Sequence, residues 1–216
     1  MAGSARGLFR ATGKIASPVM TDLINGEAVY SDEVPREKND FYPTPPEPTR
    51  AIIRAERSSL SRFALVWEPA CGDGAMTREM EAADLQVHSS DMIDRGIGAE
   101  KKSFYDFDVA PSKAILTNPP FNECNSGKWI RHAQELGIEY MALFLPFNFP
   151  GAESRAGLWA RNPPARVYLM RWRIDFTGAG ASPMLNAWFV WDGDVAPQDT
   201  RLLMLSRSDA DPDPML

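Results

Sequence analysis

Short, almost unbroken apolar runs recur along the chain, each bordered by a stretch that suits a helix, and this alternation leaves few folds open. The runs are FALVWE at 63–68, LQVHS at 85–89, AILT at 114–117, YMALFL at 140–145, RVYLM at 166–170 and AWFVW at 187–191. Helical stretches fall at 49–56, 75–83 and 128–136. Strands that are apolar on both sides belong in a mostly parallel sheet covered on both faces, so the expected class is α/β. The segment 40–48 (DFYPTPPEP) reads as extended, because each proline fixes φ and turns its predecessor away from the helical region. No internal repeat is present.

A chain of 216 residues buries a sizeable core without disulfide or metal staples. Its two cysteines, Cys71 and Cys124, make no disulfide framework, and His88 and His132 stand in no metal-ligand spacing with them. No metal and a reducing, cytoplasmic setting are therefore expected. No apolar run approaches the roughly 20 residues of a membrane span. Residues 1–20 are rich in small residues with a few basic ones, but acids follow at Asp22, Glu27, Asp32 and Glu33, which favours a loose arm over a targeting peptide. The net charge of −6 argues against a global positive field, while leaving room for a local basic face.

Two motifs carry the chemistry. Glu68-Pro69-Ala70-Cys71-Gly72-Asp73-Gly74 follows the first apolar run. Gly72 and Gly74 permit a tight turn and a close backbone approach to a ligand. A dinucleotide loop of the form G-x-G-x-x-G would place a third glycine where Thr77 stands, and no P-loop lysine follows. Glu68 repels a pyrophosphate and suits a cation, which fits the ammonium and sulfonium of S-adenosylmethionine better than a dinucleotide. Asp91, closing the second run, suits ribose hydroxyls. Asp106-Phe107 offers an acceptor for an adenine amine and a ring for its face, with Asp108 a competing acid.

The second motif, Asn118-Pro119-Pro120-Phe121, closes the AILT run. An exocyclic amine on an aromatic ring is a poor nucleophile because its lone pair is delocalised. The Asn118 side-chain oxygen and the Pro119 carbonyl can accept both amine hydrogens and free that lone pair. The prolines hold the carbonyl rigidly, and Phe121 can stack on the ring. Direct methyl transfer then needs neither a covalent intermediate nor a strong base.

Together the two motifs resemble the amino-methyltransferase branch of class I S-adenosylmethionine-dependent methyltransferases, with 118–121 similar to that branch's NPPF motif. Asp40 to Pro45 (DFYPTP) is similar to the segment that precedes the cofactor motif in DNA adenine methyltransferases of this linear order. The stretches DFTG at 175–178 and NAWFVW at 186–191 resemble small phage-type adenine methyltransferases. The resemblance spans about residues 40–192. It implies a Rossmann-like, seven-stranded, mostly parallel sheet with the last strand antiparallel. Around a catalytic domain over 40–205, composition predicts a flexible arm over 1–39, which lacks sustained periodicity, and a flexible tail over 206–216, where acids alternate with prolines. Tyr42, Thr44, Glu68, Pro69, Ala70, Gly72, Gly74, Asp91, Asp106, Phe107 and Asn118 would surround S-adenosylmethionine, and Asn118, Pro119, Pro120 and Phe121 would hold the target amine. Adenine N6 in DNA, flipped from its stack, is the leading target. Adenine or guanine in RNA and a protein glutamine present the same planar nitrogen. The chain is short for a separate target-recognition domain.

A possible nucleic-acid face comprises Lys128, Arg155, Arg161, Arg166, Arg171 and Arg173, with Trp159, Tyr168 and Trp172 interleaved. Ordinary structural readings stand beside these. A Gly-Asp-Gly turn or an Asn-Pro-Pro-Phe turn can merely close a strand, and an arginine-rich stretch is commonly a solvated surface. Trp188 and Trp191 suit the core, and Cys71 lacks the Pro-Cys context of a cytosine-C5 nucleophile. A cofactor-binding module without catalysis is the rival from another class. A nicotinamide dehydrogenase is disfavoured by Thr77 and by the 118–121 motif.

Overall fold

The computed structural model describes residues 20–21, 28–29, 43–176, 184–195 and 199–211. The chain divides into two units, 1–40 and 41–216. In the first, β1 (Met20–Thr21) and β2 (Ala28–Val29) pair antiparallel, with Met20 opposite Val29. The second unit carries the main sheet.

It opens with α1 (Pro46–Ala55), so the extended reading of the proline run gives way from Pro46 onward. The first N–H groups of a helix have no intrahelical acceptor, and prolines in the first turn therefore remove no bond. The helix α2 (Arg57–Leu60) leads to β3 (Val66–Glu68), α3 (Ala75–Ala82), β4 (Val87–Asp91) and β5 (Glu100–Lys101). There follow β6 (Ala114–Thr117), α4 (Phe121–Asn125), α5 (Lys128–Glu135), β7 (Tyr140–Pro146) and α6 (Ala156–Arg161). The strands β8 (Arg166–Met170), β9 (Asn186–Asp192) and β10 (Arg201–Leu205) complete the unit.

The sheet has eight strands in the order β10-β8-β9-β7-β6-β3-β4-β5. Every pairing is parallel except those of β9, which runs antiparallel to both β7 and β8. The α/β class and the antiparallel late strand hold. The count exceeds the expected seven because β10 adds a parallel edge beside β8, and the antiparallel strand is not last in the sheet but inside it, between β7 and β8. An edge strand needs only one neighbour, and β10 packs Leu203 and Leu205 inward while Leu202 and Met204 stay exposed.

Side-chain alternation splits the core into two layers. Leu116, Phe144 and Trp188 face α1 and α3, packing with Ile52, Met76 and Met80. Ile115, Leu143 and Phe189 face the other way, with Trp67, Phe104, Trp129 and Ile130. The end expected to fray from Ser206 forms a 3-10 turn (Arg207–Ala210) closed by a capping box of Ser206 and Asp209, with Ala210 buried in the α1-side core. Arg54 of α1 donates to the Asp211 carbonyl, which ties this turn down.

At the amino ends of the parallel strands lies a buried ion network. Glu56 accepts both arms of the Arg166 guanidinium at 2.6 and 2.8 Å and the Tyr168 hydroxyl at 2.5 Å. Arg166 also reaches Asp192 at 2.7 Å, and Arg62 bonds the other Asp192 oxygen at 2.7 Å. Burial would raise the Asp192 carboxyl, but the Arg166 and Arg62 hydrogen bonds outweigh it and hold it below its usual range. Among the described residues no helix is long and apolar enough to cross a membrane.

Candidate functional site

In a parallel sheet the loops leaving the carboxyl ends of the strands form the natural ligand crevice. Here Glu68 ends β3, Asp91 ends β4, and Asn118 follows the end of β6, so adjacent strands bring both sequence motifs to one edge.

Glu68 is 2 % exposed. It accepts a hydrogen bond from the Thr77 hydroxyl, which lies 2.7 Å from the Ser89 hydroxyl. Burial pushes its carboxyl up to about 8, against the opposing pull of the Thr77 bond. This bond also explains why Thr77 occupies the slot of a third glycine: the position braces the acid from the first turn of α3. Gly72 and Gly74 adopt left-handed φ of +56° and +78°. A Cβ on Gly74 would lie 2.9 Å from Ile97 Cδ1, the movable tip of a part-exposed side chain, so the loop needs glycine there chiefly for its left-handed conformation. Cys71 is buried and its thiol is pushed up to about 12, chiefly by burial, which leaves it inert beneath the loop.

Asp91 braces the same loop. One carboxylate oxygen accepts from the Gly72 amide at 2.9 Å, and the other from the Ile93 amide at 2.8 Å and Arg95 at 3.2 Å. A carboxylate has about four acceptor positions, so one remains for a ligand. Asp106 is exposed at the end of a 3-10 turn (Phe104–Asp106). The ring of Phe107, expected on an adenine face, is 4 % exposed. It makes a T-shaped contact with Trp67 at 4.7 Å, with the Lys102 ammonium 4.0 Å from its centre. Two apolar side chains that the sequence reading passed over stand free beside the loop, Met92 at 62 % exposure and Ile97 at 39 %.

The amide of Asn118 is oriented. Its Nδ2 donates to Thr44 Oγ1 at 3.0 Å, which points the other end, Oδ1, away from Thr44. That oxygen is buried and has no partner among the described residues. A buried acceptor left bare is expensive, on the order of 1–3 kcal/mol, unless something outside the chain satisfies it. Pro119 is buried, Pro120 caps α4, and Phe121 starts α4 half-buried against the second core layer. Tyr42, like Asp40, Phe41, Thr177 and Gly178, lies outside the described residues.

Of the basic residues, Arg166 is engaged in the interior. Arg166 sits in the ion network at the opposite end of β8 from Arg171 and Arg173, which are exposed. Arg155 is half-buried, donating to the Phe149 carbonyl at 2.7 Å and lying over the Phe149 ring. Lys128 stands 3.8 Å over the Tyr105 ring, and Arg161 is exposed at the end of α6. The interleaved aromatics belong to the core instead of a stacking platform. Tyr168 bonds Glu56, Trp172 packs on the α1-side layer, and Trp159 stacks on Trp191 at 6.1 Å. His132 bonds the Phe104 carbonyl at 3.0 Å, an ordinary structural role.

No protein-family model and no curated protein matches the sequence. Solved structures match the fold. A candidate class I S-adenosylmethionine-dependent methyltransferase from Listeria monocytogenes aligns with a TM-score of 0.55 at 15% identity, over 78% of this chain and 67% of that one. The methyltransferase subunit of a type I restriction-modification system from Streptococcus thermophilus aligns with a TM-score of 0.52 at 13% identity, over 80% of this chain and 48% of that one. A dimethyladenosine transferase from Plasmodium falciparum aligns at 0.49 and 14% identity, over 69% of this chain and 62% of that one. The chain thus spans about half to two thirds of these proteins' lengths. At such identities the likeness establishes the fold, that of class I S-adenosylmethionine-dependent methyltransferases.

Proposed function

We propose that the chain is an S-adenosylmethionine-dependent methyltransferase acting on a planar exocyclic amine, with adenine N6 in DNA as its target. The observation that carries this reading is the bare, buried Oδ1 of Asn118, fixed in direction by Thr44 at the edge where Glu68 and the glycine turn also lie. The residues present fit the cofactor. Glu68 is a buried acid suited to an ammonium, Gly74 clears space that a Cβ would fill, and Asp91 keeps an acceptor for a ribose hydroxyl. Met92 and Ile97 take over the apolar cover first assigned to Phe107, and Asp106 keeps its role as acceptor for the adenine amine. The cofactor, when bound, supplies an electrophilic methyl group on a sulfonium.

Asn118 Oδ1 and the Pro119 carbonyl accept the two amine hydrogens and draw the nitrogen toward tetrahedral geometry, leaving its lone pair free for in-line attack. With the cofactor held there, the amine nitrogen would take the methyl group as its bond to sulfur broke, and the extra proton on nitrogen would pass to solvent. The restriction-modification neighbour is in keeping with DNA, and exposed Arg171 and Arg173, beyond the carboxyl end of β8, are the basic residues best placed for phosphate contacts. Nucleoside mass spectrometry of DNA and RNA incubated with the protein and S-adenosylmethionine tests the reading. N6-methyladenine should form in DNA and fall about 100- to 1000-fold with Asn118→Ala, while affinity for S-adenosylhomocysteine stays within a few fold. Unchanged product from Asn118→Ala would refute the role given to that amide. A cofactor-bound protein that methylates neither polymer would refute a nucleobase target and favour a protein glutamine.

A further inference from the structure

Asn186 opens β9 at the same edge of the sheet, and its side chain is 1 % exposed. Neither Oδ1 nor Nδ2 has a hydrogen-bond partner among the described residues. A primary amide offers two donors and two acceptor lone pairs, so this side chain buries a whole hydrogen-bonding group with nothing to bond. Its surroundings do not ask for an amide. Pro146 stands opposite it on β7, and the next residues on its face of β9, Trp188 and Val190, are apolar. Leucine would fill the position without leaving polar atoms bare.

The register places Asn186 relative to Asn118. Thr117 pairs with Leu143, so Asn118 continues the row of Phe144 and Trp188, and Asn186 lies one pleat beyond that row, opposite Pro146. Alternation puts Asn186 on the face of Trp188 and Phe144, the α1 face. Asn118 is on that face too, since it bonds Thr44, two residues before α1. Two strand spacings of about 4.8 Å and two residues of about 3.3 Å separate the pair, a diagonal of about 12 Å. That is the separation of the two Cα atoms, and with hydrogen bonds of about 2.9 Å at either end a planar purine fits between the two side chains.

We infer that Asn186 is a second amide of the target pocket, hydrogen-bonding the edge of the purine remote from the amine that Asn118 holds. The inference rests on the methyltransferase reading and narrows its substrate class to a heterocycle, because a glutamine side chain ends at its amide and has no second edge. With adenine, the Asn186 Nδ2–H donates to the ring nitrogen N3, across the ring from N6.

The test compares the wild type with Asn186→Leu and the smaller Asn186→Ser in kcat/KM on an adenine-containing oligonucleotide, alongside thermal melting of each protein. Asn186→Leu should melt at or above the wild-type temperature, because two bare polar atoms are gone. Both variants should lose about 10-fold or more in kcat/KM. An oligonucleotide carrying 3-deazaadenine should cost the wild type a similar factor and the variants nothing further. Variants that keep wild-type kcat/KM, a wild type indifferent to 3-deazaadenine, or variants that lose melting temperature together with activity would each overturn the assignment. Failure of the parent reading shows differently, as a wild type that methylates no nucleobase at all, and it would remove this inference with it.

Discussion

If Glu68 holds the cofactor's ammonium as proposed, binding is coupled to a proton. Burial pushes its carboxyl up to about 8, so at pH 6.5 only about one molecule in thirty holds it ionised before ligand arrives. An ammonium seated against it requires the carboxylate, and binding must therefore expel the proton. The sign follows directly: below pH 8 the proton competes with the ligand, so affinity rises with pH. The expected slope is about tenfold in Kd per pH unit between roughly 6 and 7, and the handicap at pH 6.5 is about 2 kcal/mol. The rise levels off near pH 8, above which Glu68 is already ionised before the ligand arrives. Titration calorimetry with S-adenosylhomocysteine at pH 6.5, in two buffers of different ionisation enthalpy, reads the proton count directly. Wild type should release close to one proton per ligand, and Glu68→Gln should release none and show a flat Kd over the same range. A wild type that binds without releasing a proton, with Kd constant from pH 6 to 7, would refute the pairing of Glu68 with the ammonium.

Two further outcomes follow from packing. Gly74→Ala forces a Cβ into a left-handed turn 2.9 Å from Ile97 Cδ1 and should destabilise the protein, as seen in calorimetric melting. The expected cost is about 1–2 kcal/mol, or roughly 3–8 °C for a chain of this size; an unchanged melting temperature would show that the loop is not held as described. Glu56→Gln leaves the buried Arg166 with Asp192 alone and should lower urea stability by about 3 kcal/mol while leaving S-adenosylhomocysteine affinity intact, since Glu56 lies at the far end of the sheet. A loss under about 1 kcal/mol would mean that the network is replaceable.

What the sequence disclosed and what it withheld divide along a physical line. The glycine turn and the 118–121 motif are local. Their chemistry is written in neighbouring residues, and each ends an apolar strand, so the parallel sheet alone carries them to one edge. Arg166 was legible only as a basic residue among others, because its partner Glu56 stands 110 positions away. Phe107 likewise met Trp67 across the fold instead of a ligand. Asn186 was legible only as the first residue of the 186–191 stretch, since a polar residue at the start of an apolar strand looks like a strand boundary until its burial and bare polar atoms are known. The prolines at 46 and 48 misled for a different reason: the rule that they break helices fails in the first turn, where α1 uses them.

The Trp188 indole donates to the Pro48 carbonyl at 3.1 Å, across 140 positions of chain, and so staples the first turn of α1 to β9. A ribosome releases residues in order, at about 5–20 per second. The cofactor turn, with Glu68, Thr77 and Asp91 within two dozen residues of one another, has all its parts early in synthesis. The wall that orients Asn118 through Thr44 has to wait for β9 to emerge, some five to twenty seconds later at those rates. A nascent chain would thus hold the pieces of a cofactor cradle well before it holds a place for the amine.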